Sequence, residues 1–171
     1  LAADVMYQLG ALDAFARAAG ARVRYVKPHG ALYNTAADDP VQAGAVASAV
    51  AEVDVSLPVL GLPNSELERA AHAAGLSFVA EGFADRAYTS TGRLVPRSQP
   101  GAVHADRAKA IAQAVSIARN RTVTALDGTP VDVPAASVCV HGDTGGAVVL
   151  AREIRRTLED AGIAVAPFAA P

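Results

Sequence analysis

Residues 57–88 read LPVLGLPNSELERAAHAAGLSFVAEGFADRAY, and this stretch has the pattern of a strand, a helix and a second strand. Its first six residues form a short apolar run that is typical of a buried strand. Ser65 and Glu68 have the spacing of a capping box, which predicts the start of a helix, and Gly75 predicts its end. The apolar run FVAEGFA at residues 78–84 then predicts the next strand.

The same alternation continues toward the start of the chain. Apolar residues at steps of four and three predict a helix over residues 2–19. The β-branched and aromatic run RVRYVKP predicts a strand over residues 22–28. After a predicted loop, Asp39 and Pro40 form a cap and first-turn pair that predicts a helix toward Val53.

Toward the end of the chain the alternation is interrupted once and then resumes. A helix is predicted over residues 108–118, and Asp127-Gly128 predicts a β-hairpin within residues 122–133. A strand predicted at residues 136–142 leads into a last helix, which has one apolar side formed by Val148, Ala151, Ile154, Leu158 and Ala161. Alternating strands and helices predict an α/β fold with a parallel sheet covered by helices, either open or closed into a barrel.

Composition limits the class of protein. The chain has 171 residues, 51% of them hydrophobic and 19% charged, which predicts one globular domain. The 15 basic and 17 acidic residues give a net charge of -2 without long runs of one sign, so nucleic acid is not expected as a partner. No apolar run has the length of a membrane span, and residues 1–20 lack the basic start of a signal peptide.

The single cysteine, Cys139, excludes an intrachain disulfide and a cysteine-rich zinc site. A reducing location, the cytoplasm, is therefore predicted. The chain starts at Leu1 within a helical pattern and without a leading strand, so we expect that a segment is missing in front of it.

Ionisable side chains gather where the predicted strands end. In parallel α/β folds the chemistry lies at the carboxyl ends of the strands, because the loops converge there. Side chains in a strand alternate between its two faces, so residues two positions apart point the same way. This rule groups Lys27 with His29, then Glu81 with Phe83 and Asp85, and finally Cys139 with His141 and Asp143. We predict that the ionisable members of these groups share one cavity.

Each of these residues also has an ordinary structural interpretation. His29 is alternatively a turn residue, and Asp143 is alternatively a helix cap. Lys27 and Arg97 are alternatively solvated cations. Arg86 alternatively forms a surface ion pair with the aspartate that precedes it.

Two further features carry weaker signals. His104 is interpreted as a residue of a helix start. The glycines around residues 143–144, at positions 142, 145 and 146, form a turn that can hold a phosphate on backbone N–H groups. This turn is neither a P-loop nor a dinucleotide-binding motif.

Four segments together resemble one known family. They are VKPHGALYN at residues 26–34, EGFADRAY at 81–88, GRLVPRSQPGA at 92–102 and VCVHGDTGGAV at 138–148. This set, in this order, is similar to the family of 5-oxoprolinase A subunits, also called LamB/YcsF. The resemblance implies an irregular (β/α) barrel of the glycoside hydrolase and deacetylase type, here a partial single domain over residues 1–171 that lacks the family's N-terminal strands.

The resemblance also implies an activity. Members act with two partner subunits to open 5-oxo-L-proline to L-glutamate at the expense of ATP. Such a reaction needs cations for the phosphoryl group, for which Lys27 and Arg86 are candidates, and a base that activates water. The base is His29, His141 or Asp143, a choice that the sequence leaves open.

Glu81 and Asp85 either hold Mg²⁺ with ATP or order Lys27 and Arg86. The predicted catalytic residues are Lys27, His29, Asp85, His141 and Asp143. The predicted contacts to substrate or nucleotide are Tyr33, Asn34, Glu81, Arg86, Arg97 and Gly142.

Kinship to the deacetylases supports an alternative enzyme. In that case His29, His141 and Asp143 bind a divalent metal, which activates water against an amide without a nucleotide. In a third interpretation the chain is only a scaffold for its partner subunits. A homo-oligomer is possible in each case.

Overall fold

The computed structural model describes residues 1–143 and 145–169, and the chain forms two compact units. Unit 1 comprises Leu1–Val79 together with Ala169, and unit 2 comprises Ala80–Phe168. The boundary between the units falls inside a strand. The prediction of one barrel domain over residues 1–171 stays a prediction.

Unit 1 consists mainly of helices. Its elements are α1 (Ala2–Ala18), α2 (Gly30–Asp38), α3 (Pro40–Asp54), β1 (Val59–Gly61), α4 (Glu66–Ala73) and the start of β2 (Phe78–Phe83). The caps act as the sequence predicted. The Asp39 carboxylate accepts the N–H groups of Val41 and Gln42, and Ser65 Oγ accepts the Glu68 N–H at 3.1 Å.

Small apolar side chains fill the core of unit 1. Because most of them are alanine and valine, α1, α3 and α4 can approach closely. The fully buried members include Ala36, Ala43, Val46, Ala47, Val50, Val59, Leu67 and Ala71. Several of them lie four residues apart on α3, which is the spacing of one buried helix face.

Two predictions for unit 1 were wrong. The expected strand over residues 22–28 is an extended segment with one parallel bridge, in which Val26 bonds to Pro58 and Leu60 through its backbone. The expected loop after this segment is helix α2. Its buried side chains at Tyr33, Ala36 and Ala37 have helical spacing, and this signal is available in the sequence.

Unit 2 contains the rest of β2, α5 (Arg107–Asn120), β3 (Thr122–Thr124), β4 (Pro130–Asp132), β5 (Ser137–Cys139) and α6 (Ala147–Asp160). Strands β3 and β4 form the predicted antiparallel hairpin. Strand β2 pairs with β5 in parallel, which confirms an α/β fold with helices and a parallel sheet. Closure into a barrel stays a prediction.

Helix α6 packs on its unit with only part of the apolar side that was predicted. Leu150, Ile154 and Leu158 are buried, and they pack in one cluster with Ala110 and Ala114 of α5. Val148, which was expected on the apolar side, is 65% exposed. The prediction was thus confirmed at Ile154 and Leu158. It was wrong at Val148 and Ala151, which are exposed, because Leu150 is the residue of this part of the helix that lies on the buried face.

No helix within the described residues combines the length and the apolar character that a membrane crossing requires.

Candidate active site at the ends of β2 and β5

The register of β2 and β5 brings two ionisable residues together. Phe83 of β2 lies opposite Cys139 of β5 in the parallel pair. Asp85 and His141 each follow by two residues, so they reach the same level with side chains on the same face. The structure thus confirms that these two strand ends converge in unit 2.

The Asp85 carboxylate holds His141 at two points. Its oxygens lie 2.9 and 3.0 Å from His141 Nδ1, and one of them accepts the backbone N–H of His141 at 3.1 Å. The Asp85 side chain is 4% exposed and that of His141 is 24% exposed. The Phe83 ring stacks on the imidazole, with ring centroids 5.6 Å apart. The ring is therefore fixed in place with one face and one edge covered.

This geometry defines what His141 can do chemically. A carboxylate only accepts hydrogen bonds, so Nδ1 carries the hydrogen when the ring is neutral. The lone pair then lies on Nε2, the nitrogen on the side away from Asp85. An imidazole oriented in this way can take a proton from water and later return it.

Arg86, next in the chain, is buried and supports the neighbouring loop. Its Nε donates to the carbonyl of Ala102 at 3.2 Å, and its Nη2 donates to the carbonyl of Val95 at 2.6 Å. Burial, followed by the charge of Arg97, lowers the pKa of Arg86. The alternative of a surface ion pair is wrong, because Arg86 is only 4% exposed.

Arg97 and Asp143 form a second pair in this unit, and it is exposed. Arg97 Nη1 lies 3.3 Å from Asp143 Oδ2, with side-chain exposures of 48% and 60%. The helix-cap alternative for Asp143 is wrong, because the N-cap of α6 is Gly146. Gly142 is exposed, and Thr144 of the predicted glycine turn lies outside the described residues.

Glu81 lies deeper in the same strand. It is 1% exposed and stands opposite Ser137 of β5. Tyr88 is buried as well, and its hydroxyl accepts the Phe83 N–H at 2.7 Å. Burial, together with the nearby charge of Glu81, raises the pKa of Tyr88. Tyr88 thus holds the backbone of Phe83, whose ring stacks on His141.

Sequence reasoning missed two residues that support this site. Gln113 of α5 is 8% exposed, and its amide contacts the backbone around Asp85. His104 donates its backbone N–H to the Asp85 carbonyl, and its ring bonds to Gln113. The available signal was Gln113 itself, since it lies on the same helix face as Ala110, Ala114 and Ile117.

The predicted residues of unit 1 form a group of their own. Lys27 Nζ lies 5.4 Å from the ring centroid of Tyr33, which is a cation–π distance, and Tyr33 is 5% exposed. Lys27 and His29 line a largely apolar groove of about 480 Å³ beside α1. Asn34 is exposed and donates to the carbonyl of Gly30 within α2. That these residues share a cavity with Asp85 and His141 stays a prediction.

Unit 2 also has a groove of about 780 Å³ between β5, α6 and the segment that follows α6. Its lining is mainly apolar, and none of the predicted site residues contributes to it. We therefore do not place the reaction there.

The described residues offer no ligand set for the metal-dependent alternative. Among residues 1–143 and 145–169, no group of three or more His, Cys, Asp or Glu side chains is placed to hold a metal ion. In addition, both carboxylate oxygens of Asp85 already face His141. This arrangement is the one that a base and its orienting carboxylate require.

Comparison with known proteins gives a consistent picture. The model of the LamB/YcsF family matches residues 1–171. The 5-oxoprolinase A subunit of Streptomyces avermitilis is 56% identical over 169 residues, which are 99% of this chain and 68% of that protein. The 5-oxoprolinase A subunit of Nocardia farcinica is 55% identical over 165 residues, 96% of this chain and 66% of that protein.

A solved structure is also similar. The crystal structure of a lactam utilization protein from Thermus thermophilus superposes with a TM-score of 0.90 at 44% sequence identity. The match covers 98% of this chain and 66% of that one. The chain thus spans about two thirds of the length of the relatives that it matches.

Proposed function

The chain belongs to the LamB/YcsF family, and on that premise we propose that it takes part in the ATP-dependent opening of 5-oxo-L-proline to L-glutamate. We propose that it does so as one subunit of an enzyme with two other kinds of subunit. The names of its relatives support the substrate and the subunit role. The observation that carries the chemistry is the pair of Asp85 and His141 at the ends of β2 and β5.

The residues of this pair have distinct roles in the proposed reaction. His141 Nε2 takes a proton from the water that attacks the lactam carbonyl carbon. Asp85 holds the Nδ1–H and stabilises the imidazolium that results. The carbon–nitrogen bond then breaks, and the nitrogen leaves as an amine after it takes up a proton. A single imidazole can act first as the base and then as the acid, because its ring takes up and releases one proton.

ATP is the expected cosubstrate, with Mg²⁺. When bound, it would transfer a phosphoryl group to the amide oxygen and so activate it toward attack, with ADP as the leaving group, and a second water would then release that group as inorganic phosphate. In unit 2 the N-terminus of α6, beside the exposed N-cap Gly146, would be the place to hold a phosphate, because the first backbone N–H groups of a helix have no partner within it. Asp85 fits a magnesium ligand poorly, since His141 occupies its oxygens.

The other predicted residues take supporting roles in this proposal. Arg86 shapes the site by holding the carbonyls of Val95 and Ala102. Lys27 and His29 remain candidates for the phosphate-binding cation and for a second base. The cytoplasm remains the proposed location, on the ground of the single cysteine.

The test is glutamate release from 5-oxo-L-proline by this chain combined with the two other subunits of a related enzyme. We expect release only with ATP and only with all three components. Absence of release with all components and ATP would reject the proposal. Hydrolysis that needs a divalent metal but no ATP would favour the metal-dependent alternative instead.

A further inference from the structure

The turn that carries Asp85 has all of its carbonyl groups engaged by two residues from outside the turn. The two hydrogens of Gln113 Nε2 are shared among three carbonyl oxygens, those of Phe83 at 2.7 Å, Arg86 at 2.7 Å and, more distantly, Ala84 at 3.3 Å. The remaining carbonyl, that of Asp85, accepts the backbone N–H of His104 at 2.9 Å. Gln113 and His104 thus hold four consecutive carbonyl groups, those of residues 83–86.

The Gln113 side chain is itself fixed in one orientation. Its NH₂ group faces three carbonyl oxygens, so its amide oxygen must face the other way. There it lies 3.1 Å from His104 Nε2, which therefore carries the hydrogen. Burial lowers the pKa of His104, which is consistent with a neutral ring that donates this bond. If the amide were flipped, its NH₂ group would face the Nε2–H of His104, and its oxygen would face the three carbonyl oxygens of the turn. Both contacts would be repulsive.

These hydrogen bonds matter for the local structure because the groups that they join are buried. Phe83, Ala84 and Arg86 are each less than 5% exposed, and Gln113 is 8% exposed. Buried carbonyl groups need a partner, and a shorter or apolar side chain at position 113 leaves them without this donor. The peptide units would then turn to find other donors, and the Asp85 side chain would move with them. A base and its orienting carboxylate tolerate displacements of only about 0.5 Å.

We propose that Gln113 is a positioning residue for the pair of Asp85 and His141, acting through its side-chain amide, which holds the turn at residues 83–86. Only the kinetic consequence of this inference rests on the proposed function. The contact itself is independent of the reaction that the site performs.

Two substitutions with side chains of similar size distinguish the NH₂ group of Gln113, which donates to the turn, from its oxygen, which accepts from His104. Gln113→Met removes both the donor and the acceptor. Gln113→Glu keeps an acceptor for His104 but removes the donors to the turn. Ile117→Val, on the buried face of the same helix, is the control for a packing defect that leaves the turn's hydrogen bonds in place.

The first measurement is native-state hydrogen exchange of the chain, read at single amides. The N–H groups of His104 and His141 both donate to Asp85, and that of Val133 donates to Arg121 elsewhere in unit 2. We expect both Gln113 variants to speed exchange at His104 and His141 by about tenfold or more, with a change below about threefold at Val133. Equal acceleration at all three amides, as for a general packing defect, would overturn the proposal.

The two Gln113 variants also test which end of the amide matters. If Gln113→Glu behaved like the wild type while Gln113→Met did not, the role would lie in the bond to His104, and the proposal would be overturned. Loss of protection in both variants supports the donors to the turn.

The second measurement is kinetic and uses the reconstituted glutamate-forming enzyme. We expect both variants to lower kcat by about 10- to 100-fold with little change in KM, because the substrate still binds but its base is misplaced. Ile117→Val should stay near the wild-type kcat. Unchanged kcat despite selective loss of protection would overturn the positioning role. If the wild-type enzyme formed no glutamate, the proposed function would fail, and the exchange pattern would still decide whether Gln113 positions the pair.

Discussion

The two polar pairs of unit 2 have similar lengths but very different surroundings. Asp85 and His141 approach to 2.9 Å, and Arg97 and Asp143 approach to 3.3 Å. In the first pair, the Asp85 carboxylate is nearly buried and accepts the backbone N–H of His141 in addition to contacting its ring. In the second pair, both side chains are about half exposed. Distance alone therefore does not show which pair is built for chemistry. Burial and backbone support separate a positioned group from an incidental contact.

The largest expected effect breaks the first pair. Asp85→Asn should lower kcat for glutamate formation by about 100-fold or more, because an amide no longer stabilises the imidazolium or selects its tautomer. The matched change Asp143→Asn, in the exposed pair, should lower kcat by less than about tenfold. Steady-state kinetics of the reconstituted enzyme provides the measurement. Equal losses in the two variants would remove the distinction between the pairs.

The next effect tests how closely β2, the strand that leads to Asp85, packs against α5. A Cβ at Gly82 of β2 would lie 2.9 Å from Cγ2 of Ile117 and 3.2 Å from Cγ1 of Val133. Gly82→Ala should therefore reduce the free energy of unfolding by about 1–3 kcal/mol. In contrast, Gly44→Ala should raise it by about 0.5–1 kcal/mol, because this helix position has open space. Urea unfolding of both variants measures the two signs, and stabilisation by Gly82→Ala would contradict the close approach.

A smaller effect is expected from the exposed pair. A double-mutant cycle with Arg97→Ala and Asp143→Ala should give a coupling free energy of about 0.2–1 kcal/mol in urea unfolding, which falls further in high salt. A coupling well above this range, or one that salt does not change, would show that the pair is shielded from solvent. It would then resemble the pair of Asp85 and His141.

The smallest effect concerns pH and the residue beside Asp85. Burial lowers the pKa of His104, while its bond to Gln113 opposes this shift. A histidine with a lowered folded-state pKa contributes its full stability above the unfolded pKa of about 6.5, and this contribution is lost as the pH falls below that value. The wild type should therefore lose more stability between about pH 7.5 and 5.5 than His104→Gln, by less than about 1 kcal/mol.

The control for this measurement is His72→Gln, at an exposed position of α4. It removes a histidine from outside the site and is measured in the same urea titrations. If His104→Gln kept the pH dependence of the wild type, His104 would not be the group that takes up the proton.

The sequence by itself determined the local elements and part of the site. Asp39, Ser65 and Asp127-Gly128 act on residues within four positions, so caps and the hairpin could be predicted from neighbours alone. The convergence of Asp85 and His141 was also predictable, because side-chain alternation and parallel pairing are regular. The resemblance of four segments indicated the family, which the comparisons confirm.

Tertiary structure alone decided how these residues are supported. Gln113 lies about 30 positions from the carbonyls that it holds, and Arg86 bonds to a loop 9 and 16 positions away. The partner of Arg86, a phosphate or a carbonyl group, depends on which segments pack side by side. The same holds for Asp143, which pairs with Arg97 and does not cap a helix. Such contacts follow from the three-dimensional path of the backbone, and local sequence patterns carry no information about it.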